Sequence, residues 1–187
     1  ALNINPDTSP WLIATIFYSL ATLITLFLLF PEPMAIAKQI DAQENKVKKK
    51  TLDEGGRSIS ELLKLPRVQL AIISMLISQV VMVMLMVMTP LHMEHFGHSR
   101  TNIGFVISAH TAGMFGFSWL TGYLVDRYGR VKMMVAATVT LIVSALISPL
   151  GTELPFLMIG LFLLGLGWNF GYVAGSSLLS DALEGAE

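Results

Sequence analysis

Long apolar stretches without a charged residue alternate with short polar segments along this chain. A helix rises 1.5 Å per residue, so about 20 apolar residues are enough to cross a bilayer. Backbone groups in hydrocarbon must bond within their own segment, so each stretch is predicted to be a helix. Five stretches qualify, and none contains Asp, Glu, Lys or Arg: Trp11–Phe30, Val68–Leu91, Ile103–Val125, Met133–Leu150 and Pro155–Ser180.

Composition supports the same class of protein. Of the 187 residues, 53% are hydrophobic and 13% are charged, which is too little charge to cover the surface of a water-soluble domain of this size. The fold class predicted is all-α, a polytopic transmembrane helix bundle. The net charge of −1 gives no indication of nucleic-acid binding, and the absence of cysteine leaves no thiol chemistry to consider.

Lysine and arginine predict the orientation, because cytoplasmic loops carry an excess of both. Residues 31–67 and the turn at 126–132 hold eleven of the twelve basic residues, and Arg100 is the other. We therefore expect those two segments inside, and the outer segments to include residues 92–102 and 151–154. The chain is predicted to be integral to a cytoplasmic or inner membrane, with its N-terminus outside and its C-terminus inside.

The long inner loop contains two further signals. Ser58 and Glu61 have the spacing of a capping box, and apolar residues follow, so a short amphipathic helix is predicted near 58–65 with Pro66 as its stop. The basic cluster Lys46–Lys50 is able to bind anionic lipid, although a solvated linker explains it equally simply.

The segment 122–132, between the third and fourth stretches, combines glycines with charged residues. A glycine permits close helix contact or a left-handed turn, a carboxylate is able to cap a neighbouring helix, and basic groups pair with acids or lipid phosphates. Such contacts are weak enough to form in one conformation and break in another; an ordinary positively charged turn is the alternative. The candidate gating residues are Gly122, Asp126, Arg127, Gly129, Arg130 and Lys132.

These residues, together with Leu124, match in register the pattern Gly-x-Leu-x-Asp-Arg-x-Gly-Arg-x-Lys. The segment therefore resembles the signature loop of the major facilitator superfamily of secondary transporters. In that family the loop occurs once in each six-helix half, between the second and third helices of the half, and a long cytoplasmic loop separates the halves.

The resemblance implies a division of the chain. Residues 1–30 would be the last helix of the N-terminal half, and 31–67 the central cytoplasmic loop. Residues 68–187 would be the first four helices of the C-terminal half, at 68–91, 103–125, 133–150 and 155–180. The chain would then be a fragment lacking helices one to five, eleven and twelve. The alternative makes the second stretch helix one, preceded by an extra helix.

Polar residues inside the stretches are candidates for function, because hydrocarbon disfavours them. We expect Gln79, His110, Trp168 and Asn169 to be candidates for a substrate cavity, since the resemblance implies that the second and fifth stretches line one. His110 is also able to titrate near neutral pH. Interhelical hydrogen bonding is the alternative role for these groups.

Small residues recur every fourth position in two of the stretches. Such spacing lets helix backbones approach closely, either as static packing or as surfaces that slide during transport. The positions are Gly104, Ser108, Ala112 and Gly116 in the third stretch, and Gly167, Gly171 and Gly175 in the fifth.

Enzymatic chemistry is not predicted. The stretches contain no paired carboxylates and no nucleophile with a base, so we expect no catalytic residue and no cofactor. His92, His95 and His98 lie near several methionines, a ligand set that suits copper(I) or zinc, but methionine is also common packing material, so no metal site is predicted.

The function expected is secondary transport of a small solute by alternating access. The expected partners are that solute, the lipid bilayer, protons or another coupling ion, and the missing helices, without nucleic acid. A non-transporting sensor or assembly protein on the same scaffold is the alternative, and a metal permease is the third.

Overall fold

A computed structural model describes residues 9–28 and 58–184, which belong to two separate units. Across these ranges the chain forms helices and turns without a strand, which confirms the all-α class. The run of alternating valine and methionine at 81–88 lies inside a helix, as its length required. Residues 31–57, which include the Lys46–Lys50 cluster, lie outside the described residues.

The first unit contains helix α1, Ser9–Leu28, which agrees with the predicted Trp11–Phe30 stretch as far as the described residues extend. Its apolar part, Leu12–Phe27, is shorter than the other candidate spans. The crossing of the membrane by α1 therefore stays a prediction.

The second unit contains six helices among its described residues. They are α2 (Ile59–Leu62), α3 (Pro66–His95), α4 (Arg100–Phe115), α5 (Ser118–Tyr128), α6 (Arg130–Ile147) and α7 (Leu154–Glu184). Four segments of this unit are long and apolar enough to cross a membrane, with α4 and α5 together forming one of them. These four correspond to the second to fifth predicted stretches.

Helix α2 is shorter than predicted. It is a single turn, and the Ser58 side chain makes no capping bond, so the predicted capping box does not form. Pro66 is the first residue of α3, a position where its missing N–H costs nothing. The amphipathic helix at 58–65 is thus one turn leading directly into a span.

Helix α7 is the centre of the second unit and packs against α3, α4, α5 and α6. Two apolar clusters lie along it, one toward each end. The first includes Ala174 and Leu178 with Met133 and Met134 from α6. The second includes Leu157, Leu161 and Leu164 of α7. Elsewhere many large apolar side chains are exposed, as expected for helices whose outer surfaces face lipid.

Glycines decide how closely α7 approaches its neighbours. A Cβ at Gly167 would lie 2.9 Å from Leu141, and those at Gly171 and Gly175 would overlap Ser78 and Met75, so the fifth-stretch glycines do permit close packing. The small residues from Gly104 to Gly116 are exposed in this unit, so the close packing predicted for them stays a prediction. The contact between α4 and α7 uses Gly113 and Gly165 instead, where an added Cβ would strike the opposing backbone.

The third predicted stretch, Ile103–Val125, is not one helix. It is interrupted between Phe115 and Ser118, and α4 and α5 meet at this break. Phe117 there has φ −113° and ψ 12°, outside the helical range. The break leaves carbonyl groups in the last turn of α4 that lack a regular helical donor.

Candidate functional site

The turn between α5 and α6 is made by Gly129. Its φ of +91° is a conformation that side chains other than glycine rarely adopt. Its N–H donates to Val125 O at 2.9 Å and its carbonyl accepts from Met133 N at 3.3 Å, so one residue ends α5 and begins α6. Its φ is positive, as predicted for this glycine, whereas its ψ of 154° lies outside the left-handed helical region.

Arg130 connects two acidic side chains next to this turn. Its guanidinium lies 3.6 Å from Asp126 Oδ1. On its other side, Nε lies 2.8 Å from Asp181 Oδ2, and Nη2 donates a hydrogen bond to Asp181 Oδ1 at 3.4 Å. We call these three residues the ion-pair triad. It links the end of α5, the start of α6 and the last part of α7.

Asp181 is a residue that the sequence analysis missed. It lies one residue beyond the predicted end of the fifth stretch. A signal was available: the charge pattern places the end of this stretch on the same side as the 126–132 turn. An acidic residue there is an expected partner for the basic turn.

The other gating candidates have different surroundings. Arg127 donates to the Tyr123 hydroxyl at 2.7 Å and lies near the Tyr123 and Tyr128 rings, and Lys132 is exposed. A Cβ at Gly122 would meet no heavy atom of the described chain within 4 Å. The close helix contact predicted at Gly122 is therefore absent from this arrangement.

Asn169 is buried inside the second unit, with 2% of its surface exposed. Its amide nitrogen donates to Met114 O at 2.7 Å and to Ser118 Oγ at 2.9 Å, and its amide oxygen accepts from the Thr121 hydroxyl. These partners lie on both sides of the break between α4 and α5. Asn169 thus fastens α7 to the break and satisfies a carbonyl that the break leaves open.

His110 is buried in the same interface between α4 and α7. Its Nδ1 lies 3.1 Å from Leu161 O, which can only accept, so Nδ1 donates this hydrogen bond. Its Nε2 is buried without a hydrogen-bond partner among residues 58–184. Neither His110 nor Asn169 reaches an open surface among the described residues of this unit, so their place in a cavity wall stays a prediction.

Gln79 and Trp168, in contrast, do meet on an open surface. Trp168 Nε1 donates to Gln79 Oε1 at 2.9 Å, joining α3 to α7. The Trp168 ring stacks on Tyr172, with centroids 4.9 Å apart and planes at 17°. Phe115 approaches Trp168 edge-on at 6.2 Å. We call the three rings the aromatic platform.

The outer-loop histidines do not assemble a metal site. His92 and His95 contact the Phe96 ring, and His98 Nε2 lies 2.6 Å from Thr152 O. No group of three metal-binding side chains occurs in the part of the chain that the structure describes. The four candidates predicted for one cavity therefore separate into an open pair, Gln79 with Trp168, and two buried residues.

Four apolar spans, three of them packed around the central α7, with a turn of glycine and charged residues at one end, define an integral membrane protein of the polytopic helical class. The family model of the Major Facilitator Superfamily matches residues 8–187. The chain belongs to this superfamily, whose members transport small solutes across membranes.

Curated relatives agree with this assignment. An uncharacterized MFS-type transporter of Bacillus subtilis, YdeG, is 36% identical over 95% of this chain, and another, YddS, is 34% identical over 92%. The riboflavin transporter RfnT of Brucella anthropi is 31% identical over 73% of the chain. The chain spans 41%, 40% and 34% of these three proteins, respectively. No solved structure matches it.

Proposed function

We propose that this chain forms part of a secondary transporter that moves a small solute by alternating access. In this assignment α1 is the last helix of the N-terminal half, residues 31–67 form the central loop, and α3 to α7 provide the first four membrane spans of the C-terminal half. Membership of the superfamily and the matching register of the 122–132 turn support the proposal.

The ion-pair triad is proposed to act as a latch on the cytoplasmic side. The observation that carries this is the position of Arg130 between Asp126 and Asp181, which adds an ion-pair link between the ends of three helices. Arg130 is 30% exposed and Asp181 47%, so solvent screens the pair. Exposed pairs contribute about 0.2–1 kcal/mol, which is small enough to break during each cycle.

The latch is tested by flux in proteoliposomes containing the whole native protein. Arg130→Gln, Asp181→Asn and Asp126→Asn should each reduce transport while membrane insertion stays normal. The exchanged pair Arg130→Asp with Asp181→Arg should recover part of the lost flux. Arg100→Gln, which removes the same charge at the other end of the spans, is the control. Full flux in all three single variants would remove the gating role from this turn.

Orientation is part of the proposal. The distribution of basic residues supports an inner location for the 126–132 turn and an outer one for residues 92–102 and 151–154. The chain contains no cysteine, so a cysteine introduced at Lys132 or at Thr101 would be the only one in it. A membrane-impermeant maleimide should label Thr101→Cys on intact cells and should label Lys132→Cys only after the membrane is opened. The reverse pattern would contradict the orientation.

The solute is proposed to contact the open surface that carries Gln79 and Trp168. Among the original cavity candidates, these two are retained, whereas His110 and Asn169 are proposed to support the wall from behind. Protons or another ion are proposed to drive transport. The riboflavin transporter is one relative, so riboflavin belongs in the first panel of solutes examined in the flux assay.

A sensor or assembly protein on the same scaffold remains the alternative function, and solute flux separates it from a transporter. A metal permease is less well supported, because His98 is engaged with Thr152 and the loop histidines do not converge.

A further inference from the structure

The surface with Gln79 and the aromatic platform lies deep in the predicted membrane region. Gln79 is 13 residues after the start of α3, and Trp168 is 14 residues after the start of α7. At 1.5 Å per residue, each residue lies about 20 Å from the first residue of its helix, near the middle of the span. The hydrogen bond between them is consistent with one common depth.

This surface is open. Tyr172 is 43% exposed, Phe115 is 62% exposed, and Gln79 is also exposed. A primary amide is unfavourable against hydrocarbon at this depth, so residues of this kind face other protein or a water-filled space. Because the Gln79 oxygen accepts the hydrogen bond from Trp168 Nε1, the two N–H groups of its amide are available to other acceptors.

The chemistry of the surface selects among solutes. Indole and phenol rings lying nearly parallel offer flat π faces, and flat π systems stack on them in offset or edge-on geometry. Among the described residues, the amide of Gln79 hydrogen-bonds to a ring of the platform, and Tyr172 adds its own hydroxyl group. A sugar or polyol would leave most of its hydroxyl groups unpaired here, at a cost for each one, whereas a heteroaromatic ring needs few polar partners.

Charge gives a second restriction. The predicted stretches that supply these residues contain no Asp, Glu, Lys or Arg. Among the described residues of these stretches no charged group compensates an anionic solute, and burying an uncompensated charge is strongly unfavourable. Contact with the platform therefore disfavours a ring that carries a negative charge.

We propose that the platform and Gln79 form a binding subsite for planar heteroaromatic solutes without a negative charge, with the ring stacked on Trp168 or Tyr172 and a ring acceptor bonded to the Gln79 amide. The proposal rests on the proposed function, because it assigns the solute class of that same transport surface. The rest of the solute would be recognised by helices outside this chain.

Equilibrium binding of radiolabelled nicotinamide, adenosine and caffeine to the purified, complete native protein tests the subsite, with maltose as the non-planar probe. We expect saturable binding of at least one planar probe and none of maltose. Trp168→Leu should weaken that binding about 5- to 100-fold, the range found for a base stacked on an aromatic side chain. Trp168→Phe keeps a π face and should weaken it less than Trp168→Leu, and Gln79→Leu should weaken it several-fold.

Trp119→Leu is the matched control. Trp119 is 76% exposed on α5 and is not one of the platform rings, so its loss should leave affinity unchanged. Because Trp168→Leu could also disturb folding, quenching of tryptophan fluorescence by the bound probe gives a second measurement. The quenching should be reduced in Trp168→Phe, which still binds, and kept in Trp119→Leu.

The outcomes separate the two proposals. Failure of every planar probe to bind, or equal affinity in the Trp168→Leu and Trp119→Leu proteins, overturns the subsite. Maltose flux that is the same in the native and Trp168→Leu proteins overturns the subsite and leaves the transport function standing. Binding of a planar probe that depends on Trp168, in a protein that moves no solute of the panel, supports the subsite and contradicts the transport function.

Discussion

Replacing Asn169 by leucine distinguishes a cavity residue from an internal fastening between helices. Leucine fills a similar volume but offers no hydrogen bond. The change removes three hydrogen bonds to the break between α4 and α5, namely those with Met114 O, Ser118 Oγ and Thr121 Oγ1. We expect a less stable protein whose solute affinity is little changed.

The magnitude follows from the partners. Interhelical hydrogen bonds within membranes contribute about 0.6 kcal/mol on average and about 1.7 at most. Three average bonds give about 2 kcal/mol. Larger values are not expected, because two partners keep an alternative: Met114 O still accepts from the Ser118 hydroxyl at 3.5 Å, and the Thr121 hydroxyl still donates to Phe117 O at 3.1 Å. A loss of about 2 kcal/mol lowers the ratio of folded to unfolded protein roughly 30-fold.

The assay is denaturant unfolding of the complete native protein in detergent, followed by tryptophan fluorescence. A double-mutant cycle with Thr121→Val isolates the Asn169–Thr121 bond, for which about 0.6–1.7 kcal/mol of coupling is expected. Gln79→Leu is the comparison, because it removes one bond on an open surface and should affect solute affinity more than stability. Unchanged stability in Asn169→Leu together with lost solute affinity would refute the assignment and restore Asn169 to the cavity wall.

Three further predictions follow from the same geometry. Gly165→Ala should destabilise the protein by several kcal/mol, because its Cβ would strike the α4 backbone, whereas Gly104→Ala, with open space around it, should be neutral or slightly stabilising in the same unfolding assay. Gly129→Ala should cost about 1–2 kcal/mol and lower flux, because its φ of +91° is strained for alanine; equal stability would show that the turn relaxes freely. Removing metal ions with EDTA should leave flux unchanged, because the described residues assemble no metal-binding group; a loss that zinc restores would favour a metal permease.

Much of the fold was predictable because it depends on local properties. Length and the absence of charge identify a span, and the bilayer permits only helices there. The four long segments of the second unit follow the predicted stretches. The positive φ of Gly129 was likewise predictable, since a glycine between two helices is the residue that adopts such a φ most readily.

The break inside the third stretch was not predictable from the same evidence. Phe115, Gly116 and Phe117 are apolar and fit a continuous span. The break depends on a partner on another helix, Asn169, which binds a carbonyl that a regular helix would use itself. The residues at 115–117 by themselves give no indication of that partner.

The sequence by itself determined the spans, the charged turn and the family, because each depends on the identity and spacing of neighbouring residues. Only the tertiary structure decided which side of each helix faces its neighbours. It separated Trp168 from Asn169, buried Gly113 rather than Gly104, and brought Asp181 to Arg130. The physical reason is the solvent: lipid tails are as apolar as a protein interior, so the buried and lipid-facing sides of a membrane helix have similar compositions. The periodicity that reveals the inner face of a water-soluble helix is therefore weak here, and packing has to be observed.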